Sequence, residues 1–174
     1  MQGQNGGMRV YVGTTSLVNS DIIANPKGHS HSGYHIGADG RLMSGGMAFL
    51  VGVKYTNVST LALEEFKLTG HESNLSIMNG RVGLDISIIS ISNLLRIRTK
   101  ALGSFDIVLS HENPELLPPG YKLNDGWLGF VTGLGADIGP AIVDIEYEIG
   151  VINGYNKKKE STFNSLTLSV GFFF

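Results

Sequence analysis

The fold this sequence predicts is an all-β, eight-stranded antiparallel up-and-down transmembrane β-barrel. Three observations predict it. Segments of alternating apolar and small or polar residues recur eight times along 174 residues. The connections between them alternate between long polar stretches and tight turns, as they do where hairpins close a barrel with long loops at one end. Every charge inside a segment falls on the same side-chain parity, and the other parity is apolar.

The segments justify themselves in order. The first strand is expected over Met8 to Val18 and the second over Ser32 to Leu42; the turn Met43 to Gly46 then leads to a third over Met47 to Val58. The fourth runs from Ile77 to Ile89, and a short turn around Ser92 and Asn93 leads to the fifth, Leu95 to Leu109. The sixth spans Asp125 to Ile138, the Gly139–Pro140 turn follows, and the seventh covers Ala141 to Ile152. The eighth is Thr162 to Phe174. Residues 1–7 are expected to be a flexible N-terminal segment and 8–174 the barrel domain.

The faces carry the functional information. In the seventh strand Ala141, Val143, Ile145, Tyr147, Ile149 and Val151 oppose Asp144, Glu146 and Glu148. In the sixth, Leu128, Phe130, Leu134 and Ile138 oppose Trp127, Gly129, Gly133, Gly135 and Asp137. Seven basic residues lie in strands: Arg9, Arg41, Lys54, Arg81, Arg96, Arg98 and Lys100. Seven acidic ones do as well: Asp39, Asp85, Asp106, Asp137, Asp144, Glu146 and Glu148. All fourteen share the polar parity.

A soluble, lipocalin-like barrel would turn these charges outward; a membrane barrel turns them inward. Glycine, serine and threonine accompany the charges, as expected where a narrow lumen limits space. The seven-to-seven balance suits an enclosed interior, where unpaired charge is costly. Tyr34, Tyr55, Tyr147, Phe172 and Phe174 fall near strand ends on the apolar parity, where an interfacial girdle would sit. The inward reading of the charges is therefore preferred. The net charge of −2 points away from a nucleic-acid partner, and the absence of cysteine excludes disulfides and thiolate metal sites. The start MQGQNGG has no apolar signal core, so the expected localisation is the Gram-negative outer membrane after removal of a signal peptide, with Met1 an added start residue.

The stretch SLTLSVGFFF places Leu166, Leu168, Val170, Phe172 and Phe174 on one parity, with Phe173 breaking the alternation. It resembles the carboxy-terminal assembly signal of Gram-negative outer-membrane barrels, which implies recognition by the barrel-assembly machinery. From about Gly33 onward, GYHIGADGRL, RVGLDISIISISNLLRIRTKALGSF and LNDGWLGFVTGLGADIGPAIVDIEYEIGVINGY resemble the small outer-membrane β-barrel family of Bacteroidetes called porin-T-like. The architecture is similar to that of the transmembrane domain of outer membrane protein A, with no peptidoglycan-binding domain following in this sequence. The resemblance implies fold and location, and no activity.

Four stretches are candidate sites. KGHSHSGYH carries His29, His31 and His35, of which an i, i+2 pair could share a metal; without cysteine or a close carboxylate it reads as a polar loop. Ser110, His111 and Glu112 are residue types used by lipid-modifying barrels, but adjacent strand positions face opposite ways, so they form no relay by themselves. NKKKES, residues 156–161, reads as a solvated basic tip able to meet lipopolysaccharide phosphates. Arg81, Asp85, Arg96, Arg98, Lys100, Asp137, Asp144, Glu146 and Glu148 are expected to form an interior charge network, with Arg96, Arg98 and Lys100 facing Asp144, Glu146 and Glu148. No catalytic residue, metal or cofactor is expected. The expected role is non-enzymatic: structural, adhesive or as an accessory subunit of a larger outer-membrane complex, in contact with outer-membrane lipid and lipopolysaccharide. The alternatives are a small-solute or ion pore and, behind it, a lipid-modifying enzyme.

Overall fold

The computed structural model describes residues 6–18, 32–61, 72–91, 94–111, 125–151 and 164–174. These form eight strands and, among the described residues, no helix: β1 Gly6–Val18, β2 Ser32–Ser44, β3 Met47–Leu61, β4 Glu72–Ile91, β5 Leu95–His111, β6 Gly126–Ile138, β7 Ala141–Gly150 and β8 Asn164–Phe173. Neighbours in sequence pair antiparallel, and β8 returns to β1 to close the barrel. At the seam Met8 and Phe174 exchange both backbone hydrogen bonds, at 2.8 and 2.9 Å. Closure leaves no strand edge unpaired, which a hydrocarbon environment requires.

Two tight turns are made by glycines with positive φ, Gly45 (63°) before β3 and Gly139 (59°) before β7; this left-handed region is open to glycine without a Cβ penalty. The expected turn at Ser92 and Asn93 lies outside the described residues. Several strands end elsewhere than the periodicity predicts. The β3–β4 ladder continues to Leu61↔Glu72, well past Val58 and Ile77, because backbone pairing persists where hydrophobic alternation has stopped. β7 ends at Gly150 instead of Ile152, and β8 starts at Asn164. Register shifts leave Ile88 unpaired in β4 and Leu109 unpaired in β5. The first bulge breaks the period of two, so Ile88 and Ile89 are both exposed, at 56% and 47%.

The burial pattern is that of a membrane barrel. On β7, Asp144, Glu146 and Glu148 are buried while Val143, Ile145 and Ile149 are exposed. Thirteen of the fourteen strand charges are buried, and the fourteenth, Arg96, keeps 22% of its side chain exposed at the short-turn end. Outside, a predominantly apolar surface including Val12, Val51, Val82, Leu134, Ile145 and Leu168 faces outward, with Thr14 and Thr132 set among these residues. Water would make this arrangement unfavourable on both faces; a bilayer makes it favourable on both. In the girdle positions Tyr34, Phe172 and Phe174 are exposed, while Tyr55 and Tyr147 are half-buried.

Apolar residues also enter the lumen. Leu50, Leu102 and Val131 meet at mid-height, and Val58, Leu75, Ile77 and Trp127 meet toward the long connections. Phe173, the residue that breaks the terminal alternation, has the inward parity. The Arg41 guanidinium lies over its ring, 5.4 Å from the centroid, and the missing side chain of Gly7 leaves the ring its space.

Candidate functional site: the charged interior

Strand alternation sets the site up. On β5, Arg96, Arg98 and Lys100 are spaced by two and share the inward face; on β7, Asp144, Glu146 and Glu148 do the same. Between these rows lies β6, whose inward positions at that level are glycines. The register aligns Arg98 with Gly135 and Gly135 with Asp144, then Lys100 with Gly133 and Gly133 with Glu146. With no β6 side chains in the way, the rows meet over the strand. Arg98 Nη2 donates to Asp144 Oδ1 at 2.7 Å, and Lys100 Nζ donates to Glu146 Oε1 at 2.5 Å.

From there the network crosses the lumen. Asp144 also meets Lys100 Nζ at 2.7 Å and Arg9 Nη1 at 3.1 Å. Asp39 receives Arg9 Nε at 2.6 Å and Arg81 Nε at 2.9 Å, and Arg81 Nη1 reaches Glu146 Oε2 at 2.8 Å. Tyr11 donates to Asp39 Oδ1 at 3.3 Å, with the Arg81 guanidinium 4.9 Å from its ring centroid. Tyr11 fits because its neighbours across the ladders, Gly37 and Gly171, lack side chains that would strike it.

Nearer the short turns, Arg98 also donates to Asp85 Oδ2 (2.8 Å) and Asp137 Oδ1 (2.6 Å). Arg41 is 3.3 Å from Asp137 and 3.5 Å from Asp85. Arg96 binds Asp137 at 2.6 Å, so its partner is on β6 and not in the acidic row of β7. Nearer the long connections the pairing thins. Glu148 accepts from Ser104, and Lys54 Nζ stands 3.9 Å from its Oε2.

Arg81, Asp85, Arg96, Arg98, Lys100, Asp137, Asp144 and Glu146 are linked pair to pair in the lumen, whereas Glu148, the ninth residue expected there, is buried apart from them beside Ser104, Asn79 and Lys54. Arg9, Asp39, Arg41, Lys54 and Asp106, though counted among the inward charges, belong to the same interior and were not singled out by spacing. No i, i+2 partner of like charge marks them, and their partners lie on strands remote in sequence. Tyr11 shares the inward parity of Arg9, and that parity is the one signal the sequence gives for it. His35 is corrected outright: it is a buried lumen residue, bonded to Thr15 Oγ1 at 3.0 Å and Ser169 Oγ at 2.9 Å, and not part of a polar loop. Inward parity at the start of β2 could have found it. His29 and His31 lie outside the described residues, as do Glu112 and residues 156–161. Ser110 is exposed at the end of β5, where the Leu109 bulge has interrupted the ladder.

The β6 glycines invite a test. An ideal Cβ on Gly135 would sit 2.8 Å from Arg98 Cζ and closer still to Asp144 Oδ1, whereas a Cβ on outward-facing Gly40 has nothing nearer than 3.8 Å. Gly135→Ala is expected to destabilise by about 1–3 kcal/mol through overpacking, with Gly40→Ala near neutral. Denaturant titrations in lipid vesicles check the difference.

No protein-family model matches this chain, and no curated protein sequence matches it. Among solved structures, Neisserial surface protein A matches 98% of this chain and 98% of its own, with a TM-score of 0.59 and 14% identity. The likeness is one of fold alone, a small closed β-barrel. Two further structures cover nearly all of both chains at lower scores. They are Ail, the attachment invasion locus protein of Yersinia pestis, solved with the heparin analogue sucrose octasulfate (TM-score 0.48, 9% identity), and the N-terminal β-barrel domain of Pseudomonas aeruginosa OprF (TM-score 0.49, 12% identity).

Proposed function

We propose that the protein is a non-enzymatic integral barrel of the Gram-negative outer membrane, with a structural, adhesive or accessory-subunit role. Its long connections face outward from the cell, and its charged interior is closed to solute flow. The observation that carries this reading is the ion-paired lumen. Arg9, Arg81, Lys100 and Arg98 interlock with Asp39, Glu146 and Asp144 from one side of the barrel to the other, and Leu50, Leu102 and Val131 form a buried apolar cluster in the same interior. An aqueous path would have to break pairs whose members are buried, at several kcal/mol each. The resemblance of the GYHIGADGRL and LNDGWLGF segments supports placement among the porin-T-like barrels of Bacteroidetes. The exposed row Leu166, Leu168, Val170, Phe172 and Phe174 supports a contact with the barrel-assembly machinery during insertion.

One set of samples tests these points. Native cells should yield the protein in the outer-membrane fraction, and boiled and unboiled samples should migrate differently on denaturing gels. Planar bilayers containing the purified barrel should show no steady conductance. Deleting Phe174 should lower membrane levels in cells much more than it lowers the unfolding midpoint of refolded protein. A detergent-free soluble monomer would refute the membrane reading. Stable openings altered by Arg98→Ala would replace the closed barrel with a pore, and normal membrane levels without Phe174 would remove the assembly contact.

A further inference from the structure

The hairpin of β4 and β5 reaches past its neighbours at the short-turn end. β3 begins at Met47, opposite Ile86, and the Ser87 N–H donates to Gly46 O at 2.8 Å. β4 then runs on to Ile91 with β5 as its ladder partner, Ile91 standing opposite Leu95. Among the described residues no strand pairs with Ile88 to Ile91 on the β3 side. The wall is closed, but this overhang beyond it has an open strand edge. Its side chains are apolar: Ile88, Ile89, Ile91 and Leu94 are exposed at 56%, 47%, 59% and 72%. Residues 86–92 read ISIISIS, without charge, proline or glycine, the composition of a segment that pairs readily. Of the devices that blunt an open edge, the tip has one bulge, at Ile88, and neither lysine nor proline.

We propose that this overhang docks an extended segment of another protein, an uncharged strand of alternating apolar residues that adds beside β4. The proposal rests on the membrane reading, which puts the short turns at the periplasmic face. Neither solvent there suits the tip. Water bonds the open N–H and C=O groups but leaves large aliphatic side chains wet. Hydrocarbon covers the side chains but leaves the backbone groups unmatched. An added strand answers both, its main chain pairing along the edge and its side chains packing on the isoleucines. Charge has no part in the recognition. Asp85 is buried, and Arg96, the next charge along the chain, is held by Asp137. A second copy in the same membrane fits poorly. Its β4 would descend in the same direction, and barrel strands tilted with the same hand cross steeply when an axis along the membrane normal relates them.

The chain has no cysteine, so Ser90→Cys puts a single thiol on the overhang for an environment-sensitive dye. The labelled full-length barrel in lipid nanodiscs would be titrated with the capped peptide Thr-Val-Thr-Val-Thr-Val, which is uncharged and alternating. The dye should emit as in water before the peptide is added and shift to the blue in a saturable way afterwards. The same peptide N-methylated at alternate residues should give no saturable shift, because its main chain can no longer donate along the edge. Ile89→Lys with Ile91→Lys should weaken the response by about tenfold, since lysine blunts an open edge. The heat-dependent gel shift reads the barrel and the dye reads the edge, so a persisting gel shift with no dye response overturns the edge alone. An equal response to the methylated peptide, or from the double-lysine variant, would equally overturn it. Blue emission before any peptide would show that the bilayer covers the tip. Cross-linking of unlabelled Ser90→Cys barrels into dimers would give the edge to a second copy. Either result replaces the proposed occupant.

Discussion

Arg98→Met should destabilise the barrel by about 3–5 kcal/mol, the range for removing one partner from a buried ion pair. Arg98 is 0% exposed and its guanidinium serves three carboxylates: Asp85, Asp137 and Asp144. Methionine fills much of the volume, so the loss measures charge more than packing. The three acids do not lose equally. Asp144 keeps Lys100 and Arg9, and Asp137 keeps Arg96 and Arg41, but Asp85 is left with Arg41 alone at 3.5 Å. Asp85→Asn should therefore recover part of the loss in the Arg98→Met background, a coupling that a double-mutant cycle reads. Arg96→Met makes the contrast. With 22% of its side chain exposed, Arg96 is within reach of solvent, and about 1 kcal/mol is expected. Equilibrium unfolding in vesicles that ranks Arg96 above Arg98 would show that the network is not what holds the interior together.

The second large effect lies on the other face. Ile145 is 52% exposed, and its ladder neighbours Leu134 and Leu168 are exposed at 56% and 49%. Arginine there should cost about 2–4 kcal/mol if that surface meets hydrocarbon near the bilayer midplane. On a water-facing surface the same change would fall within about 0.5 kcal/mol of zero. The two environments thus differ by several-fold in a single measurement, and Ile145→Leu controls for loss of the side chain. A near-zero result for Ile145→Arg in lipid vesicles would invert the assignment of faces.

Much of this molecule was legible in its sequence because a strand has only two faces. Once Ile145 is outward, Asp144 and Glu146 must be inward, and the same logic runs through Lys54, Arg81 and Asp106. The strand ends were less legible. Ser59 to Leu61 and Glu72 to Asn74 continue the β3–β4 ladder through backbone hydrogen bonds, which carry no hydrophobic signature. The bulges at Ile88 and Leu109 were hidden as well, since a run such as ISIIS offers either parity equally until its partner strand sets the register.

By itself, then, the sequence determined the strand number, the alternation of long and short connections, and which side of the wall each charge occupies, because period-two alternation and turn chemistry are local. Only the tertiary structure decided which acid meets which base. Arg9 and Asp144 are 135 positions apart and Arg81 and Glu146 are 65 apart; closure of β8 onto β1 and the absent side chains of β6 bring such pairs into contact. It also turned Phe173 from an irregularity into the ring beneath Arg41 and set Asp106 and Glu148 on the same amide of Asn79. The physical reason is that parity is a property of one strand, whereas pairing across a lumen depends on the shear and register of all eight.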